Sequence, residues 1–484
     1  MSAAAFDPAA TSGPVVARAF QRALAALFAI AWLSLGWQVD VLLGQRGLLP
    51  AATYLDAART AGVAWTGLPS LFWLDASDAA LHAGIWTGPA LSLAVLLGLA
   101  PRLCLGLATL LYLSYAAAGQ AFLSFQWDNL LLECGLLAVF LPTDRPVRWI
   151  HLLFRLLLFK LYWESGLAKW QSPLGDWQDG SAMSFYYETA PLPVWPAWYA
   201  HHLPPWWHQL ESWLTLVVEL LLPFLAFGPR RARLSLFIAL TGFQLLNLAT
   251  ANYGFFVYLA LALHLFLLTD ADLTRLRAAL PWRRAVPAPP PPTPSWPRLR
   301  SAGAAMVVTV YVAVSAADAL LTFARLPAAV AGLLMPIEAA AQPWRLINTY
   351  HLFGHITRER IEPRFEVEVD GRWQPLEFWH KAGDPSRAPG RVAPHQPRID
   401  FQLWFYGLSY QRGTPPYVAA LADRLCRDPA AVQPLFTTRL PDRPTAVRIT
   451  FSRYRFSDSA TRASTGAWWV TTPVAETRGL PCGP

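Results

Sequence analysis

The chain has 484 residues, of which 54% are apolar and 14% charged, with a net charge of +8. Soluble domains carry about a quarter charged residues, so this composition excludes an ordinary soluble enzyme and points to a protein whose main partner is the lipid bilayer. The positive excess comes with no nucleic-acid motif, and no nucleic-acid partner is expected.

The charges cluster between apolar runs close to the roughly 20 residues that a bilayer requires. Nine such runs lie near 18–38, 80–100, 102–118, 121–142, 148–168, 208–228, 232–251, 253–269 and 302–323. The first is long and lacks a small-residue cleavage site, so it reads as an anchor. The stretch 45–75 mixes Arg46, Asp56 and Arg59 with apolar residues and reads as an interfacial or re-entrant segment. Arg18, Arg22, Arg102, Arg145, Arg148, Arg230, Arg231, Arg233, Arg275, Arg277, Arg283 and Arg284 all fall on one side of a nine-span topology. The positive-inside rule puts that side, with the N-terminus, in the cytoplasm. An odd span count then sends the C-terminus to a periplasm or a secretory lumen. The fold expected is thus a polytopic α-helical membrane protein of about nine spans with a C-terminal extramembrane β-rich, sandwich-like domain. The boundaries expected are a transmembrane core over 1–277, a proline-rich cytoplasmic linker over 278–300, a last span over 301–325 and an outward domain over 340–484.

Within that domain, Phe365–Val369 alternates apolar and charged residues, Asp370-Gly371 turns, and Trp373–Trp379 alternates again, which is a hairpin signal. Ile399–Tyr406, Val447–Phe456 and Ala467–Thr471 read as further strands, and Tyr417–Arg427 as an amphipathic helix. Cys104 and Cys134 lie in spans. Cys426 and Cys482 share the outward domain, where an oxidising compartment permits a disulfide; sequence does not decide whether they pair.

Charged side chains inside spans are costly and ask for a reason. The fourth run holds Asp128 and Glu133; the fifth holds Arg155, Lys160, Glu164 and, at its end, Lys169. At 100° per residue Arg155, Tyr162 and Lys169 share one face, while Lys160 and Glu164 are spaced for an intrahelical pair. Two readings stay open: the acids neutralise the bases and fix helix packing, or together they line a polar cavity. The loop 171–207 is rich in Trp and Tyr, as expected at an interface. His201-His202 and His208 do not have metal-ligand spacing, so no metal is expected. No Gly-x-Ser-x-Gly, HExxH, phosphate loop or CxxC occurs, and no cofactor is indicated.

Three strings occur in order after the last run: Asn348-Thr349-Tyr350-His351-Leu352-Phe353-Gly354, Asp370-Gly371-Arg372-Trp373, and His395-Gln396-Pro397-Arg398-Ile399-Asp400-Phe401-Gln402-Leu403-Trp404-Phe405. They resemble the C-terminal domain of the lipase maturation factor family, multi-spanning proteins that help secreted lipases reach their active form. The resemblance implies a membrane-embedded factor, more a chaperone than an enzyme, that holds a secreted client, a lipase by family analogy. Client contact is expected around Trp373, Phe378, Trp379, His395, Arg398 and Asp400, with Trp404 in the domain core. A further resemblance joins Ser165-Gly166-Leu167-Ala168-Lys169-Trp170 and Asp176-Trp177-Gln178-Asp179-Gly180 to the vitamin K-dependent carboxylase family. It implies a rival reading, an intramembrane enzyme acting on a quinone or lipid-like substrate with Lys169 as base and Asp128 or Glu133 as partners. The plain alternative has Lys169 snorkelling to the interface and pairing with Asp176 or Asp179.

Overall fold

The computed structural model describes residues 13–278 and 297–483. Most of the expected linker at 278–300 therefore lies outside the described residues.

All nine apolar runs are helical: α1 Pro14–Gly36, α2 Asp78–Leu96, α3 Pro101–Ala118, α4 Gln126–Val139, α5 Arg148–Trp170, α6 Pro205–Phe227, α7 Arg230–Thr250, α8 Phe256–Leu267 with α9 Asp270–Ala278 after it, and α10 Pro297–Phe323. Local chemistry sets several of their starts. Pro14, Pro101 and Pro205 open α1, α3 and α6, where an N–H would have no helical acceptor. Ser77 caps α2, its hydroxyl accepting from the Ala80 N–H at 3.2 Å. Six helices, α1, α2, α3, α6, α7 and α10, are long and apolar enough to cross a membrane, and α8 with α9 makes a seventh only as a pair bent by 115°. Against the nine runs read from sequence, length and composition give six or seven. The two others are interior helices. In α4 every residue from Leu130 to Gly135 is buried, and α5 buries Lys160, Glu164 and Lys169. α4 has only 14 residues, and α5, though 23 residues long, carries charges that lower its hydropathy.

α6 is broken by its own sequence. Pro223 has no N–H to offer the Glu219 carbonyl four residues earlier, and the helix widens into a π turn over Val217–Leu221 before ending in a 3-10 stretch. Gly166 of α5 packs directly on this turn: a Cβ there would sit 2.9 Å from the Glu219 carbonyl carbon.

The two ends of the helical body differ. At one end the Asp270 carboxylate accepts from Gly13, Val15 and Val16 N–H, Arg230 pairs with Asp272, and Arg233 donates to the Leu267 carbonyl at 3.3 Å. The other end, formed by the C-termini of α1 and α5 and the N-termini of α4 and α8, is covered by the C-terminal residues. A helix not separated in the sequence reading, α11 Ala328–Ala341, links α10 to them; it is apolar and buries no residue.

The C-terminal domain holds one antiparallel sheet built from β1 Arg360–Val369, β2 Arg372–Pro375, β3 Ala446–Phe456, β4 Trp469–Glu476 and the short β5 Leu480–Pro481, in the order β2-β1-β3-β4 with β5 on β3. The expected hairpin is present. Val369 pairs with Arg372 across Asp370 and Gly371, both at positive φ, 50° and 73°, the geometry that matches strand twist in a two-residue turn. Two expectations change. Among the described residues no second sheet faces it, so the C-terminal sheet domain lacks the paired sheets expected from sequence. Ile399–Tyr406 is not a strand but part of α12 Arg398–Ser409, which packs on β1. Arg398 through Leu403 are all buried, so neither a period of two nor one of 3.6 is left for the sequence to display. The amphipathic helix forms as expected, α13 Pro416–Arg427. Cys426 at its end is bonded to Cys482, with Cα atoms 5.1 Å apart.

Candidate functional site

Asp128, Glu133, Lys160, Glu164 and Lys169 find their partners outside their own helices. Glu133 of α4 is the hub. One of its oxygens accepts Lys160 Nζ at 3.1 Å and the Tyr311 hydroxyl at 2.6 Å. The other accepts the Asn348 backbone N–H at 3.0 Å, its side-chain amide at 3.1 Å and the Tyr350 hydroxyl at 2.7 Å. Lys160 also donates to Ser315 of α10 at 2.9 Å. The i,i+4 pair expected between Lys160 and Glu164 is absent; Glu164 accepts the Tyr350 N–H at 2.9 Å. Arg155 donates to the Phe266 carbonyl at 3.0 Å. A buried carboxylate this far from water demands several donors, and residues 348–350 of the downstream chain supply them.

Asp128 finds its partner across the seam between body and domain. Arg398 grips it with two bonds, at 2.7 and 2.8 Å, and both side chains are 0% exposed. Arg398 also donates to the Phe122 carbonyl at 2.8 Å and the Tyr112 hydroxyl at 3.1 Å. Tyr112 in turn donates to Asp128 at 2.5 Å. A planar, two-toothed guanidinium suits this recognition. The seam continues through buried Asn252, whose carbonyl accepts from Val392 and Ala393 N–H at 2.8 and 2.9 Å and whose amide donates to Gly390 at 2.8 Å. Arg360, fully buried, donates to the Pro191 carbonyl at 2.9 Å and pairs with Glu362.

Lys169 does not reach Asp176 or Asp179. Its ammonium lies 2.7 Å from Glu219 of the α6 π turn, donates to the Leu352 carbonyl at 2.8 Å and sits over the Trp177 ring. Asp176 instead accepts Ser172 Oγ at 2.6 Å and the Ile356 N–H at 2.9 Å. The Lys169 nitrogen thus has two partners, the Glu219 carboxylate and the Leu352 carbonyl. Among the described residues no group of three or more His, Cys, Asp or Glu is placed to hold a metal ion.

The aromatic and charged residues expected to meet a client divide sharply. Phe378 (2% exposed), Arg398 and Asp400 are buried. Phe378 packs against Phe436 with the rings tilted by 45°, and Asp400 accepts the His380 and Lys381 N–H groups at 3.0 and 2.9 Å. Burial raises the Asp400 carboxyl above the ordinary range, against the pull of His380 and these donors. All three were expected at a client surface, and the structure instead places them in the interior. His395 sits half-buried in the seam against Ser34 at 2.9 Å, and Trp373 lies half-buried under Arg448. Trp404 is half-buried and donates to the Thr189 carbonyl at 2.9 Å. Of the residues named, Trp379 alone is well exposed, at 55%. Sequence reasoning missed Glu219, Tyr112, Asn252 and Tyr311. Glu219 had a signal: it is one of only two carboxylates in the apolar run 208–228, and the one nearer its middle, Glu211 lying three residues from the start.

With this geometry in view, comparison with known proteins gives a consistent result. The family model described as "Lipase maturation factor transmembrane domain" matches residues 15–275, and "Lipase maturation factor C-terminal domain" matches residues 346–478. The chain is 31% identical to Lipase maturation factor 1 of Bos taurus over 93% of its own length and 86% of the relative's. It is 31% identical to Lipase maturation factor 1 of Homo sapiens, over 93% and 84%, and 30% identical to Lipase maturation factor 2 of Gallus gallus, over 94% and 80%. No solved structure matches.

Proposed function

Because the chain belongs to the lipase maturation factor family, we propose that it is an integral membrane factor that assists the folding or assembly of a secreted client, a lipase by the names of its relatives. The observation that carries this reading is the buried seam. Asp128–Arg398, the Glu133 hub and Asn252 fasten the C-terminal domain to the membrane body as one platform. On that platform Trp379, Phe405, Val470, Val474 and Leu480 remain exposed. β4 forms a sheet edge with every side chain after Trp469 exposed; such an edge and such apolar groups suit a partly folded chain. The arginines at the opposite end of the body favour an N-terminus in the cytoplasm and a C-terminal domain in the periplasm or a secretory lumen. Contact through Trp379 and β4 replaces the wider client surface expected from sequence. The rival reading, an intramembrane enzyme with Lys169 as base, gains nothing from a lysine already bonded to Glu219 and Leu352.

The test is deletion of the gene in its host, followed by proteomics of folded and total secreted proteins after limited proteolysis. Loss of folded form for a few clients, reproduced by Trp379→Ser with Val470→Thr and Val474→Thr, supports the reading. An unchanged secretome sinks it. So does reproduction of the deletion by Lys169→Met with Glu219→Gln, a pair that removes both charges without stranding either.

A further inference from the structure

A cavity of about 80 Å³ lies inside the helical body between α5, α6, α7 and α8. It is lined at one side by the Lys169–Glu219 pair and elsewhere by apolar side chains such as Leu161, Phe243 and Phe256 together with polar ones such as Ser165, Thr215 and Asn247. Three of its buried lining groups have no hydrogen-bond partner among the described residues: the indole N–H of Trp127 (4% exposed), the indole N–H of Trp177 (2%) and the side-chain carbonyl of Gln244 (3%). A buried donor or acceptor left unmade costs about 1–3 kcal/mol, and three around one void ask for an occupant. A second chamber of about 430 Å³ backs onto the first and shares Trp127, Tyr186, Leu352 and Phe353 with it. Its far wall is aromatic and apolar: Phe401, Trp404, Phe405 and Leu408 of α12. Phe353, in the partition, is held at φ 52°, a backbone state that a bulky residue rarely adopts.

We infer that the two chambers form a binding site for a single uncharged lipid whose headgroup carries both carbonyl and hydroxyl oxygens, the chemistry of an acylglycerol. The headgroup occupies the inner chamber and the chain the outer one. Two indole donors need acceptor oxygens, and the Gln244 carbonyl needs a hydroxyl. The charges on the wall already cancel, since Lys169 and Glu219 lie 2.7 Å apart; an anionic or cationic headgroup would find no unpaired counter-charge. The inner volume fits a headgroup of a few oxygens, a water needing about 10–15 Å³ on the same measure. This site does not rest on the client reading, and either stands without the other.

The experiment titrates the delipidated full chain in detergent with 1-oleoylglycerol, with oleate at pH 9, and with methyl oleate, and counts bound lipid by native mass spectrometry. The expected result is one saturable equivalent of 1-oleoylglycerol, bound at least about tenfold more tightly than the two others. Trp177→Phe is expected to weaken it about tenfold, read as affinity on the folded variant, because the phenyl ring keeps an aromatic face under Lys169 and loses the N–H. Gln244→Met gives a second variant, near-isosteric, with the same expectation for affinity. Equal retention of all three lipids, absence of saturable binding, or wild-type affinity in both variants overturns the assignment and leaves the cavity to water.

Discussion

Replacing Arg398 with Met tests the seam directly. The change keeps the aliphatic stem and deletes the guanidinium, stranding Asp128 at 0% exposure with only the Tyr112 hydroxyl as donor. Removing one partner of a buried ion pair costs about 3–5 kcal/mol. Here the upper part of that range applies, because Arg398 makes four bonds at once, two to Asp128 and one each to Phe122 and Tyr112. At about 1.4 kcal/mol per tenfold, the closed seam is weakened by roughly a thousand- to several-thousand-fold. The assay is amide hydrogen exchange of residues 398–409 in detergent micelles, which reads the local opening free energy. Asp128→Asn with Arg398→Met removes the stranded charge and keeps an acceptor for Tyr112, so it is expected to recover most of the loss. A single variant that costs under about 1 kcal/mol, or a double variant no better than the single, refutes the reasoning.

Three more outcomes follow from the same geometry. Replacing Cys426 and Cys482 with Ser opens a loop of sequence separation 56, and chain-entropy arithmetic gives a loss of up to about 4 kcal/mol, read as a lower thermal midpoint matched by the wild type under reductant. Gly166→Ala forces a Cβ against the Glu219 backbone; overpacking of about 1–3 kcal/mol is expected as a lower melting temperature, and an unchanged one contradicts the close approach. Burial, with His380 and Arg398 nearby, lowers His395 to about 4 from an ordinary 6.5. The unfolded or undocked state therefore takes up a proton before the docked one does, so the docking stability is whole above pH 6.5 and is lost as pH falls toward 4. Exchange of residues 393–400 should quicken across that window, and His395→Gln should flatten the profile; identical profiles count against it.

The sequence by itself determined what depends on local pattern. Apolar runs of bilayer length became helices, the turn at Asp370-Gly371 made its hairpin, Tyr417–Arg427 made an amphipathic helix, and the arginines between runs gathered at one end of the body. Each of these reports one-sided burial or a local backbone need, which periodicity and residue type display directly. α12 was illegible because Arg398 through Leu403 are buried on every side, and a segment without a solvent face has no period to show. Partner choice was illegible for a different reason. Lys160 and Glu164 have the spacing of a helical pair, yet Lys160 bonds Glu133 and Glu164 bonds the Tyr350 N–H. Lys169 has three acids within ten residues, Glu164, Asp176 and Asp179, yet takes Glu219. A buried charge settles where several donors or acceptors converge, and that convergence is made only when α4, α5, α6, α10 and the chain after residue 345 are packed together.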